Sequence, residues 1–312
     1  MLWLAGLMGL MAVGAVGITD MGGSSNEDDD TVDATNDVND PAEDDATGTD
    51  PSSPDDPDLI LGTENDDTLT GTADADTLYG EEGDDTIAGG AGDDTLHGED
   101  GTDLMDGGAG DDDMFGHNGD DTLTGGDGND SMQGSAGDDL LDGDAGKDAV
   151  HGGLGNDTLS GGAGQDSLFG GYGNDLINGV EDDPDTPEMD DTDTGDFLNG
   201  GSGDDVIIAG KDDVVTPGDG NDTVVLGSWI SEGHAADIID FDAEDDNILL
   251  VYEDGDEEPE ITLQPDPENA LTTQVLMNGV AVAHVGNGAE ITLEDIAVMP
   301  LSLAQSSGMA PL

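Results

Sequence analysis

The chain contains no cysteine in 312 residues, so no disulfide framework, zinc–thiolate site or cysteine nucleophile is available to it. Basic residues are nearly absent as well: 2 Lys+Arg stand against 78 Asp+Glu, a formal charge of −76. Affinity for a polyphosphate backbone comes from Lys and Arg, and this shortage excludes nucleic-acid binding. Aromatic residues make up only 3 %. Leu, Ile, Val and Phe together are about a fifth of the chain, close to the level at which disorder is expected. Self-repulsion at such a charge opposes compaction. What the sequence has instead is glycine, 52 residues of it, with Asp as the dominant acid. That pairing suits loops that hold a metal ion rather than an ordinary acidic tail.

The longest apolar run is residues 1–18, MLWLAGLMGLMAVGAVGI, which as a helix would span about 27 Å, just short of a bilayer core. It reads either as a membrane anchor or as a signal segment. The only positive charge before it is the terminal amine, whereas a cleaved signal normally opens on a basic stretch. Residues 19–58 are Asp, Glu, Asn, Thr, Ser and Pro without apolar periodicity, the composition of a disordered, self-repelling acidic linker.

From Gly62 to Asn178 the chain divides without a gap into thirteen nine-residue blocks, from GTENDDTLT through GGAGDDTLH to GGYGNDLIN. Every block begins with Gly. Every block has Asp at its sixth place: Asp67, Asp76, Asp85, Asp94, Asp103, Asp112, Asp121, Asp130, Asp139, Asp148, Asp157, Asp166 and Asp175. The eighth place is always apolar, from Leu69 to Ile177. The fourth place is Gly except for Asn65 and Asp74 in the first two blocks. After an acidic, Pro-containing insertion at about 180–195 the register resumes with Asp196, and degenerate blocks follow at Asp205, Asp213 and Asp222. Within the insertion, Asp191-Thr-Asp193-Thr-Gly195 looks like the start of an EF-hand loop, but the bidentate Glu twelve places on is missing, which argues against a separate site.

Six residues rich in Gly and Asp make a tight turn in which glycines take φ > 0, and the remaining three make a very short strand with the eighth-place side chain inward. Two blocks then form one 18-residue coil with a strand on each side, and the apolar residues of successive coils stack into a thin core. One aliphatic side chain per strand offers about 2 kcal/mol, against an ordering entropy of roughly 1 to 2 kcal/mol per residue, so something further must stabilise the coil. Stacking also brings the sixth-place Asp of one block near that of the block two further on, as Asp85 near Asp103, where bare carboxylates repel. A hard cation that takes six to eight oxygens turns this repulsion into a clamp. Residues 62–178 hold 30 Asp+Glu and one Lys, a net −29, which about eleven Ca2+ would largely neutralise.

The blocks match G-G-x-G-x-D-x-U-x, and the chain resembles the RTX, or haemolysin-type, calcium-binding repeat family of bacteria. The resemblance covers residues 62–225. It implies an all-β fold, a right-handed parallel β-roll with calcium between the loops of adjacent coils. The implied ligands are the sixth-place carboxylates, Asp196, Asp205, Asp213 and Asp222 included, together with backbone carbonyls, for roughly ten Ca2+ in all. Domain organisation follows: 1–18 the apolar segment, 19–58 the linker, 59–225 the calcium-binding roll, 226–300 a small antiparallel β domain or cap, and 301–312 a tail. In the C-terminal part, Asn278-Gly279 between two alternating apolar runs predicts a hairpin. The Ile239-Asp240-Phe241 … Asp246-Asn247-Ile248 stretch resembles the segment that caps such rolls, which makes Asp240, Asp245 and Asp246 either terminal calcium ligands or plain turn carboxylates.

The sequence has no HExxH and no GxSxG, and its five histidines never stand at i, i+4. His97 and His151 close blocks six apart and read as solvated polar tips sharing a face rather than as a metal pair. The expected protein is not an enzyme. It is a calcium-binding, extracellular or cell-surface rod, secreted or tethered through residues 1–18, with a structural, adhesive or matrix role. The alternative is an accessory module or degenerate carbohydrate-active protein whose C-terminal β domain binds a glycan.

Overall fold

A computed structural model describes residues 59–181, 191–192, 195–255, 257–267, 269–286 and 291–309. The expected apolar segment, the acidic linker and most of the insertion lie outside these residues. Among the described residues, no helix is long and apolar enough to cross a membrane.

The nine-residue period is realised as a parallel β-solenoid of two facing sheets. Strands alternate between them, so each strand pairs with the one two blocks away: Ile60 with Leu78 and Leu78 with Leu96 in the first sheet, Leu69 with Ile87 and Ile87 with Met105 in the second. Because the side-chain period of a strand is two, every eighth-place residue faces the interior, and all thirteen are essentially fully buried. The excursion of twelve residues near 180–195 leaves the stacking intact, since Leu168 pairs with Leu198 and Ile177 with Ile207.

Thr68–Thr70, Thr158–Ser160, Leu176–Asn178 and Val206–Ile208 have the three residues expected, and most other strands of the roll are longer. Thr86–Ala91, Thr95–Asp100 and Leu104–Ala109 each run six residues, through the first-place Gly and on into the loop. Glycine permits this by placing no atom inside. A Cβ on Gly125 would lie 2.5 Å from Asp130 Oδ2 and 2.8 Å from the carbonyl oxygen of Gly143 in the next coil. Gly125→Ala is therefore expected to cost about 1 to 3 kcal/mol, the range of overpacking in a filled interior. Asp127→Ala, at an exposed position two residues on, is expected to stay within about 0.5 kcal/mol. Urea midpoints measured in calcium compare the two, and equal midpoints would remove the steric account.

Over 226–300, where a small antiparallel β domain or cap was expected, most strands pair in parallel with the roll. Strands Asn247–Tyr252 and Ile296–Pro300 continue the second sheet in parallel, and Ala236–Ile238 and Val280–Val285 continue the first. Antiparallel pairing is confined to Ile261–Pro265, Thr273–Met277 and Val280–Val285 at one end of the first sheet. The hairpin falls where expected: Met277 pairs with Val280, and Asn278 and Gly279 take φ of 54° and 84°, both in the left-handed region a two-residue turn needs. Parallel continuation wins because Val224, Leu226, Ile248 and Leu250 extend the buried column of the roll, which a detached domain would leave exposed. Here the strands are also buried on their outer face. Trp229 packs on Gly227 and donates from Nε1 to the carbonyl oxygen of Ala209 at 2.9 Å. The expected tail contributes a short helix, Leu301–Ser306, which packs on the last strands of the second sheet and buries Ala304.

Candidate metal centre

The seventeen sixth-place Asp residues are all buried, whereas the other acids among the described residues are mostly at the surface. They form two ladders, one beside each sheet. In the first, the backbone N–H of Asp67 donates to Asp85 Oδ1 at 2.8 Å, Asp85 to Asp103 at 2.8 Å, Asp103 to Asp121 at 2.9 Å, and so on through Asp139, Asp157 and Asp175. The second runs Asp76, Asp94, Asp112, Asp130, Asp148, Asp166. Both cross the insertion, from Asp166 to Asp196 and from Asp175 to Asp205, and continue to Asp213 and Asp222.

Oδ1 is thus satisfied, and Oδ2 is not. Among the described residues, fifteen buried carboxylate oxygens have no hydrogen-bond partner: Oδ2 of the repeat Asp residues from Asp85 to Asp205 and of Asp222, together with Oδ1 of Asp191. Leaving so many buried acceptors unmet is unfavourable unless something supplies positive charge. Burial, opposed in part by the N–H bonds and reinforced by the neighbouring carboxylates, pushes the repeat carboxyls from Asp85 onward up, to about 6 for Asp121 and Asp139 and about 7 for Asp148, Asp157 and Asp205. Asp213, whose Oδ2 accepts from Gly210 N at 2.7 Å, is raised to about 8, mainly by burial and then by Asp196.

Carbonyl oxygens converge on the same places. Around Gly107 lie both Asp112 Oδ2 and the carbonyl oxygen of Gly125, and the fourth-place Gly101 sits over the carbonyl oxygen of Gly83 with Asp103 Oδ1 beside it. Such approach requires glycine, and Gly83, Gly92, Gly110 and Gly119 hold φ between 120° and 137°. The donor set is carboxylate plus carbonyl, oxygen only, with one carboxylate oxygen of most blocks left over. It fits a hard cation of high coordination number and suits neither zinc nor copper.

The first coil differs. Thr63 and Thr72 occupy the second place and give both N–H and hydroxyl to Asp67 Oδ2 and Asp76 Oδ2, so these two Oδ2 atoms are not left over. Of the three cap residues, Asp246 is buried and receives the Asp222 N–H at 3.2 Å, extending the first ladder. Asp240 and Asp245 are exposed and stand outside it.

Two features were not foreseen from the sequence. Asp191 is buried in the insertion, with Oδ2 accepting from Lys211 N at 2.5 Å. The sequence offered it only as the first residue of a start resembling an EF-hand loop, which gave no sign of its burial. The second is a ladder at the fifth place, running opposite to the sixth: Asp84 N donates to Asp66 Oδ1, Asn156 N to Asp138 Oδ1, and Asn221 N to Asp204 Oδ1, at 2.7 to 3.1 Å. The recurrence of Asp and Asn at that place was its visible signal.

No curated protein matches the chain significantly. The model of the RTX calcium-binding nonapeptide repeat, in four-copy units, matches residues 61–183 in overlapping windows and again residues 190–224, about half of the chain and the whole of both Asp ladders before the cap. Repeats of that kind bind Ca2+ in a structural, solenoidal fold, and the oxygen-only ladders match that chemistry: the chain belongs to the RTX calcium-binding nonapeptide repeat family.

Proposed function

We propose that the protein is a calcium-assembled rod working outside the cytosol, where millimolar Ca2+ fills sites of modest affinity, and that its role is structural, in adhesion or a surface matrix. The unpartnered Oδ2 in nearly every block carries this reading. Each ion would take the sixth-place Asp oxygens and loop carbonyls of adjacent coils, giving roughly ten Ca2+ per chain from Asp85 to Asp222 with Asp246 closing the end. A stiff acidic rod suits a spacer or lattice element, since its two faces present the fifth-place carboxylates to solvent. Secretion, or a tether through residues 1–18, is part of the same proposal.

Calorimetric titration of the chelated full chain with Ca2+ tests it. Roughly ten ions taken up together with a gain of β-signal in circular dichroism is the expected result. Fewer than about three, or uptake without structural change, would overturn the site assignment.

A further inference from the structure

The outward face of the first sheet carries a cluster that the calcium ladders do not use. His97, the last residue of its block, and Glu99, two residues later on the same strand, point to one side. His117 lies directly opposite Glu99 on the adjacent strand. His97 Nδ1 is 3.0 Å from His117 Nε2, and His117 Nε2 is 3.8 Å from Glu99 Oε1. One donor atom from each of the three falls within 4.8 Å of the others. In a tetrahedral zinc site with metal–ligand bonds of about 2.0 to 2.2 Å, donor atoms stand about 3.3 to 3.5 Å apart, so only small side-chain adjustment separates this arrangement from a coordination set.

One further observation distinguishes the cluster from an accidental pair of surface histidines. The His97 ring is held between Tyr79, stacked at 4.4 Å and 2°, and Phe115, at 4.9 Å and 13°, which fixes the imidazole plane. Glu99 and His117 occupy the second place of their blocks with φ of 79° and 76°, a left-handed conformation that Gly supplies at the same place in Gly90, Gly108 and Gly126. Glu81, Ser135 and Asp144 take the same conformation at the second place of their blocks, so it belongs to the position, and the cluster rests on its donor geometry and the held imidazole.

We propose that His97, Glu99 and His117 form a binding site for a borderline transition-metal dication such as Zn2+, separate from the calcium ladders and with a fourth position open. Two imidazoles and one carboxylate are the donor set such ions favour and a poor one for Ca2+, which takes oxygen ligands. His151, the partner that block spacing offered to His97, sits three strands away along the Phe115–Gln133 column and takes no part.

The test is titration of the calcium-saturated full chain with Zn2+ in excess Ca2+, which keeps the ladder carboxylates filled. One Zn2+ per chain is expected. His117→Gly restores the residue that the φ of 76° favours, so its calcium-dependent folding should be intact while Zn2+ affinity falls by about tenfold or more. Glu81→Gly, one coil away in the same column and at a φ of 80°, should leave Zn2+ affinity unchanged. Cu2+ at the site should show coupling to two nitrogens by electron paramagnetic resonance, lost in His97→Gln. Absence of Zn2+ uptake in the calcium-loaded chain, or uptake that His117→Gly does not alter, would leave a hydrogen-bonded histidine pair only and overturn the proposal.

Discussion

Excess chelator at pH 7.4 is expected to abolish the β-signal of the roll and expand the chain toward the dimensions of an unfolded acidic polymer. Sixteen backbone-to-carboxylate bonds hold the sixth-place Asp residues, with Asp246 at the end, one coil apart along the two ladders. Strands in a sheet lie about 4.8 Å apart. At that distance two unit charges repel by about 0.9 kcal/mol even in the dielectric of water, and several-fold more near a protein interior. Over the ladders this reaches or exceeds the roughly 5 to 15 kcal/mol that is the whole stability of an ordinary domain. The thin core offers little in compensation, since each coil buries one aliphatic side chain per sheet. Loss of signal should be cooperative and reversed by Ca2+. Circular dichroism with small-angle scattering reads both changes, and a full β-signature persisting in chelator would show that the core alone carries the fold.

Acidification should rescue the calcium-free roll. The repeat Asp residues from Asp85 onward have folded values above the ordinary carboxylate range near 3.8, at about 6 for Asp103, Asp112 and Asp166, about 7 for Asp196, and about 8 for Asp213, chiefly because of burial. Between the unfolded and folded values the folded chain binds more protons than the unfolded one, so stability falls as pH rises. The contribution is fully present below about pH 4 and is lost progressively through about pH 6 to 8. In chelator, β-signal should therefore return on lowering the pH from 7.4 to about 5, protons replacing calcium as the neutralising charge. With calcium present the same groups give the opposite dependence, because protons compete for the carboxylates, and Ca2+ affinity should weaken over the same interval. A calcium electrode and circular dichroism across pH 5 to 8 check both limbs. A chelated chain that gains no structure on acidification would mean that these carboxylates are not the obstacle to folding.

Much of the solenoid was written in the spacing of residues. Gly at the first place, Asp at the sixth and an apolar residue at the eighth set the coil, the two sheets, the like-with-like core and the seventeen buried carboxylates, because each of these is a local requirement repeated every nine residues. The break in period near 180–195 was visible as well, though it is the pairing across it, as of Asp166 with Asp196, that shows the coils close over it. The Asn278-Gly279 turn was legible for the same local reason.

What depended on contacts between distant parts of the chain was not. Continuation of the second sheet through Ile296–Pro300 joins strands that are neighbours only in space: Ile248 meets Ile296, and nothing periodic links their positions. Asp246 joins a ladder and Asp245 does not, because the fold turns one inward and leaves the other exposed. The His97–Glu99–His117 cluster arises from a diagonal across two strands, a relation of twenty residues that is neither helical nor nonapeptide spacing. By itself, then, the sequence determined the repeat, the core and the place of the carboxylates, whose period coincides with the coil. Tertiary structure decided which oxygens are left without partners, how the roll ends and which surface side chains meet, since those depend on the stacking of coils rather than on any one of them.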